Sequence, residues 1–263
     1  MRRRSVGFLL VFLCACSEAP EQQTQISPPL HLYLLAGQSN MAGRGEVGDI
    51  DRETHPRVFA LKLDYAWGLA SDPLHWDKPE RVGVGPGLAF GKEMAERNPD
   101  VRIGLIPAAV GGSSIRVWVP GAVHTQTETR PWDDAVSRTF RVLALGGGEL
   151  KGVIWHQGES DRSNFSGEYS DALVDLVERM RREFRSPDLP FVAAQLSWFR
   201  DEPIPGGGSV SQAIASLPER LPNTASVSGE GFEHKGDNVH LDSASERELG
   251  RRFAEAMSAL TQH

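Results

Sequence analysis

The chain is predicted to fold as a three-layer α/β/α sandwich around a central parallel sheet, and three observations carry that expectation. Short, nearly continuous apolar runs recur along it, of the kind buried on both faces of a parallel sheet. Longer segments with helical periodicity lie between them, so strand and helix alternate. The 263 residues, 40% of them hydrophobic, suffice for one domain of roughly 230 residues once an N-terminal segment is set aside. No internal repeat is evident.

The first strand is expected over residues 32–36, an unbroken apolar run that ends at Gly37. Similar runs at 58–63, 101–106, 152–155 and 191–196 supply four more strands. Residues 87–97, 131–145 and 170–185 have helical spacing between them, and 244–260 closes the chain with another helix. Pro86-Gly87 precedes the first helix, and Pro131 occupies a first-turn position where its missing N–H costs nothing. In such sheets ligands bind outside the carboxyl ends of the strands. The loops after the strands ending near Ala36, Ala109 and Trp155 should therefore open on one edge.

The N-terminus reads as a targeting signal. Arg2-Arg-Arg4 is followed by the apolar stretch 6–13, too short to span a bilayer, and then by small residues. Residues 1–15 are expected to be a signal peptide, 16–29 a flexible polar tether, and 30–263 the folded domain. Leu13-Cys-Ala-Cys16 resembles a bacterial lipobox, which implies cleavage before Cys16 and its lipidation; simple secretion after cleavage near Ala15 is the alternative. With Cys14 discarded and Cys16 acylated, the domain holds no thiol and no disulfide. Ser17 after the cysteine, by resemblance to lipoproteins, favours the outer membrane of the cell envelope. The formal charge of −7 argues against nucleic acid as a partner, because an acidic surface repels phosphates. A neutral or sugar-like substrate fits better.

Ser39 lies where an apolar run breaks into Gly37-Gln-Ser-Asn-Met41, a setting that presents a nucleophile. Near the other end, Gly236-Asp-Asn-Val-His-Leu-Asp242 places a carboxylate and an imidazole three residues apart. A serine hydroxyl needs a general base, and the base needs a group that fixes its tautomer. Asp237 and His240 have the spacing for that. Met41 stands where the G-x-S-x-G elbow has its second glycine, which argues against an ordinary α/β-hydrolase. Ser113, Ser114 and Ser160 lack the strand-to-turn context and read as loop hydrogen-bonders. Gly111-Gly112 allows backbone N–H groups to approach an oxyanion without a side chain in the way, and Gly112 and Ser39 are the candidate donors. No metal or organic cofactor is expected: the cysteine count and the lack of a His-x-x-x-His pattern disfavour zinc, and no phosphate loop of standard spacing is present.

Together, Gly37-Gln-Ser-Asn-Met41, Gly111-Gly-Ser113, His156-Gln-Gly-Glu159 and Asp237-Asn-Val-His240 resemble the four blocks of the SGNH hydrolase superfamily, in its sialate O-acetylesterase or acetylxylan-esterase-like branch (carbohydrate esterase family 6). They fall in the expected order across residues 31–260. The resemblance implies a flavodoxin-like layered fold and a serine esterase that removes O-acetyl groups from a carbohydrate such as sialic acid or xylan. It implies Ser39 as nucleophile, His240 as base, and Gln157 as a third oxyanion donor where the superfamily usually has asparagine. Asp237 is favoured as the residue orienting His240, with Glu159 as the rival. Trp118 is a candidate sugar platform or a packing residue, and Arg116 a candidate polar contact. A carbohydrate acyltransferase, which shares the acyl-enzyme, and a silent glycan-binding lipoprotein are the alternatives. Oligomeric state has no signature in the sequence.

Overall fold

The computed structural model describes residues 29–146, 148–162, 168–200 and 209–261. The expected signal peptide, Cys16 and the tether as far as residue 28 lie outside the described residues. Pro29 is already engaged, its carbonyl accepting from Arg102 N at 2.9 Å.

The chain opens with β1 (Leu30–Gly37), one turn of helix α1 (Ser39–Ala42) and a second, α2 (Asp49–Arg52). Strands β2 (Val58–Leu61) and β3 (Trp67–Leu69) form a hairpin, closed by Tyr65 N–H donating to Lys62 O at 3.0 Å. Helix α3 (Pro86–Arg97), β4 (Arg102–Pro107), α4 (Pro131–Ala144), β5 (Glu149–His156), α5 (Tyr169–Glu183) and β6 (Phe191–Ala194) follow in alternation. Short helices α6 (Val210–Ala215) and α7 (Leu217–Arg220) lead into β7 (Thr224–Val227), and α8 (Ser243–Thr261) closes the domain.

The seven strands are ordered β3-β2-β4-β1-β5-β6-β7. Six run parallel and β3 pairs antiparallel with β2, giving the sheet one antiparallel edge strand. Two apolar clusters fill its faces: Trp118, Trp132, Trp155, Leu173 and Leu176 on one, Met41, Phe90, Met94, Phe253 and Met257 on the other. The two faces are covered by α4 and α5 on one side and α3 and α8 on the other, so the expected three layers are present. Strand β1 lies at the centre, where the chain order of its neighbours reverses. That switch point is where open α/β sheets leave a crevice beyond the strand ends.

Candidate active site

Strand β1 ends in Gly37 with φ +137°, and a Cβ there would lie 2.2 Å from the His156 carbonyl oxygen of β5. Only glycine permits this approach. The next residue, Gln38, donates its N–H to the same carbonyl at 2.9 Å, and its side-chain oxygen accepts from Ser160 N at 3.3 Å. The crossing between β1 and β5 is therefore fixed, and Ser39 emerges as the first residue of α1. Ser39 is 6% exposed, and among the described residues its hydroxyl has no hydrogen-bond partner. The rival serines differ in this respect. Ser113 Oγ accepts from Trp118 Nε1 at 3.1 Å, Ser160 Oγ donates to Gly112 O at 3.1 Å, and Ser114 Oγ donates to Asp161.

His240 sits in the loop between β7 and α8. Its Nδ1 lies 2.7 Å from Asp237 Oδ2, while Asp237 Oδ1 accepts from the backbone N–H of Val239 at 2.9 Å and of His240 at 2.8 Å. Burial would raise the Asp237 carboxyl, but the hydrogen bonds from His240 and Val239 outweigh it and hold the group down at about 2. The carboxylate is thus charged at neutral pH and holds the imidazole by Nδ1, leaving Nε2 as the free nitrogen. Among the described residues no hydrogen bond or ion pair joins Glu159 to His240. Its Oε1 accepts from Asn40 Nδ2 at 2.6 Å, and its Oε2 is buried without a partner among the described residues.

Asn40 joins the two halves of the site. Its Nδ2 also donates to Val239 O at 3.3 Å, and its Oδ1 accepts from Leu241 N at 3.1 Å, gripping the chain on both sides of His240. His234 braces the same loop from within, its Nδ1 accepting from Gly236 N at 2.9 Å and Asn238 N at 3.3 Å.

The glycine loop is held by a buried ion pair. Asp77 Oδ2 accepts from Arg44 Nη2 and from Gly111 N, each at 2.7 Å, and both side chains are almost inaccessible. Arg44 Nη1 donates to Gly43 O at 2.7 Å, and Arg44 O accepts from Lys235 Nζ at 3.0 Å. The turn after Ser39, the glycine loop and the His240 loop therefore share one brace. Gly112 has φ +85°, and among the described residues neither its N–H nor that of Ser39 has an acceptor.

One expectation requires correction, and one open alternative is decided. Gln157 is fully buried and its amide N–H groups are committed to Gln38 Oε1 (3.1 Å), Ser113 O (2.9 Å) and Asp161 Oδ2 (2.6 Å), with Tyr169 OH donating to its oxygen. It has no N–H left for an oxyanion and instead ties the ends of β1, β4 and β5 together. Trp118 is likewise 0% exposed, set edge-on to Trp155 with centroids 5.0 Å apart, and is a core residue rather than a sugar platform. Arg116 is exposed and faces Glu168 at 3.9 Å. His156 is buried with neither ring nitrogen bonded among the described residues, and burial lowers its pKa, so it stays neutral.

The residues that sequence reasoning passed over are Asn40, Arg44 and Asp77. Asn40 and Arg44 stand in the same run as Ser39, so their place in the motif was a signal. Asp77 comes from an irregular stretch before α3 with no pattern around it.

Comparison with known proteins shows the family and the fold. Residues 29–259 match the family model described as carbohydrate esterase, sialic acid-specific acetylesterase. The chain is 33% identical over 260 residues to the Arabidopsis thaliana protein named "Probable carbohydrate esterase At4g34215", covering 91% of this chain and 94% of that one. The crystal structure of that plant protein superposes with a TM-score of 0.74 at 30% identity, over 88% of this chain and 99% of its own. The human protein named sialate O-acetylesterase is 25% identical over 206 residues, but this chain spans only 39% of its length, against 63% of this chain. The structure of NanS has the same fold, with a TM-score of 0.67 at 20% identity over 89% of this chain and 98% of that one. With a family match that runs from the first described residue to the last turn of α8, the chain belongs to the carbohydrate esterase, sialic acid-specific acetylesterase family.

Proposed function

We propose that this carbohydrate acetylesterase, a carboxylic ester hydrolase by family, removes O-acetyl groups through an acyl-enzyme on Ser39. His240 Nε2 takes the hydroxyl proton as Ser39 Oγ attacks the acetyl carbonyl, and the tetrahedral oxyanion is met by the N–H groups of Ser39 and Gly112. The same imidazole returns the proton to the departing sugar oxygen, and then deprotonates the water that hydrolyses the acetyl ester of Ser39. Asp237 holds the imidazole tautomer and stabilises its protonated form. No step calls for a metal or cofactor.

The observation that carries this reading is the Asp237–His240 contact at 2.7 Å on a loop that Asn40, the neighbour of Ser39, grips on both sides. Free Ser39 and His240 donors and acceptors at one sheet edge have no use in a binding module. The test is acetate release from an aryl acetate and a panel of O-acetylated sugars by the domain 30–263, with Ser39→Ala alongside. Serine-dependent release is expected, with Ser39→Ala losing about 10⁴-fold or more. Substantial turnover by folded Ser39→Ala would remove Ser39 from the mechanism.

We further propose that the enzyme is exported and held at the envelope membrane by lipid on Cys16, with residues 16–29 as a tether. The sequence pattern alone supports that part.

A further inference from the structure

We infer that a cavity behind the glycine loop is a second binding site, separate from the Ser39–His240 pair, and that it takes a neutral hydroxylated ligand, a sugar ring. The cavity has a volume of about 250 Å³, several times the share of about 30 Å³ that one water occupies. It lies beyond the carboxyl ends of β2 and β4, where open α/β sheets bind ligands, and every residue around it falls within the described segment 29–146. Pro107, Ala108, Ala109 and Val110 form an apolar part of its wall, and neither Ser39 nor His240 lines it. It meets the catalytic loops at Asp77, whose Oδ2 holds Gly111 N at 2.7 Å.

Three buried polar atoms of residues around this cavity have no hydrogen-bond partner among the described residues: Asp77 Oδ1, His75 Nε2 and Arg138 Nη1. Buried polar groups are ordinarily paired, so three orphans on one cavity mark a place that a ligand or water completes. Each has a fixed role. His75 is 5% exposed, its ring N–H donates to the Leu35 carbonyl, and burial holds its pKa down at about 4, so at neutral pH Nε2 keeps a lone pair and accepts. Asp77 Oδ1 is the second oxygen of the carboxylate paired with Arg44, and it too accepts. Arg138 Nη1 can only donate, and its guanidinium is set over the Trp76 ring, 4.5 Å from the centroid.

The set calls for a ligand that brings two donors and one acceptor. A hydroxylated ring supplies both from one kind of group, and its C–H face suits Ala108, Ala109 and Val110. An anion supplies acceptors alone. It would satisfy Arg138 but leave Asp77 Oδ1 and His75 Nε2 unpaired, and it would face the carboxylates of Asp77 and Asp134. The charges around the cavity also balance, Arg138 against Asp134 and Arg44 against Asp77. Lys78, the next cation along, stands outside the wall and donates to Gln126 Oε1 at 2.9 Å.

NMR titration of the purified wild-type protein with methyl β-glucopyranoside tests this, read at the backbone amides of Ala108, Ala109 and Val110. The glucoside carries no ester, so no outcome depends on turnover or on the esterase reading. Saturable shifts are expected. Arg138→Met, which keeps an aliphatic stem over Trp76, should weaken binding about tenfold, the loss of one hydrogen bond from a charged donor, and Arg138→Lys should restore part of it. Glucuronate and sulfate should bind more weakly than the glucoside. Shifts that never saturate would mean that water alone fills the cavity, and an unchanged Kd in folded Arg138→Met would place the sugar elsewhere. Tighter binding of glucuronate or sulfate would make this an anion site. Any of these three results overturns the inference.

Discussion

At the scale of single residues, the motif Gly37-Gln-Ser-Asn divides into four separate duties. Gly37 allows the close pass under His156, Gln38 staples the β5 loop, Ser39 keeps its hydroxyl free, and Asn40 holds the His240 loop. The division of labour between the two carboxylates follows from their partners. Asp237→Asn should lower kcat about 10³- to 10⁴-fold, since an amide opposite Nδ1 favours the wrong tautomer. Glu159→Gln should cost far less, because it weakens only a bond to Asn40, and comparison of the two kcat values checks the assignment; a larger loss in Glu159→Gln would reverse it. Trp118→Ala should destabilise the fold by about 3–5 kcal/mol in a denaturant titration, as expected for a fully buried ring. Ser39, Asp237 and His240 were legible because each sits in a local pattern of chemistry-bearing types. The fate of Gln157 and Trp118 was not, because whether a polar or aromatic residue after a strand faces the crevice or the core depends on contacts from distant segments, here Asp161, Tyr169 and Trp155.

At the scale of elements, the long helices and the five apolar strands were legible within a few residues, since their periodicity is strong and their ends carry capping or breaking residues. Strand β3, three half-exposed residues, and β7, Thr-Ala-Ser-Val, lack such a signal and exist because a neighbouring strand supplies their hydrogen bonds. The short helices α6 and α7 escaped because six and four residues are too few to show a helical period, although Ser209 and Gln212 form a capping box at the start of α6. Helix α8 carries a consequence of its own packing. Glu246 in its first turn is fully buried with neither carboxylate oxygen bonded among the described residues, and burial, followed by the neighbouring Asp72 and Glu159, raises its pKa well above the ordinary value, with Asp242 adding to the effect and Arg44 opposing it. The folded state therefore keeps a proton there that the unfolded chain releases above about pH 4.5, so this group lowers stability as pH rises through that range. Glu246→Gln, which mimics the protonated form, should match wild-type stability near pH 4 and exceed it at pH 7. Melting temperatures at the two pH values check this, and an equal gain at both would contradict the buried-acid account.

At the scale of the whole molecule, the candidate site and the start of the domain lie at opposite edges of the sheet. The Ser39 turn, the glycine loop, the Glu159 loop and the His240 loop all lie beyond the carboxyl ends of parallel strands, whereas Leu30 starts β1 at the opposite edge. Eight residues of strand separate the two edges by about 26 Å. A chain leaving through Pro29 thus departs from the face farthest from the site. If lipid on Cys16 were the anchor, residues 17–29 would reach about 43 Å when extended, enough to stand the domain clear of a bilayer. The acidity of the chain acts in the same direction, because loss of Arg2 to Arg4 with the leader would bring the formal charge to about −10 and repel an anionic lipid surface. Among the described residues no helix is long and apolar enough to cross a membrane. If lipid on Cys16 supplies the anchor, Cys16→Ser expressed with its full leader should move the protein from the membrane fraction to the soluble fraction, while kcat/KM on a soluble acetate ester stays within about twofold of wild type because the anchor and the site occupy opposite edges. Retention of Cys16→Ser in the membrane fraction would refute the anchor, and a large loss of activity in the released protein would refute the separation of the two ends.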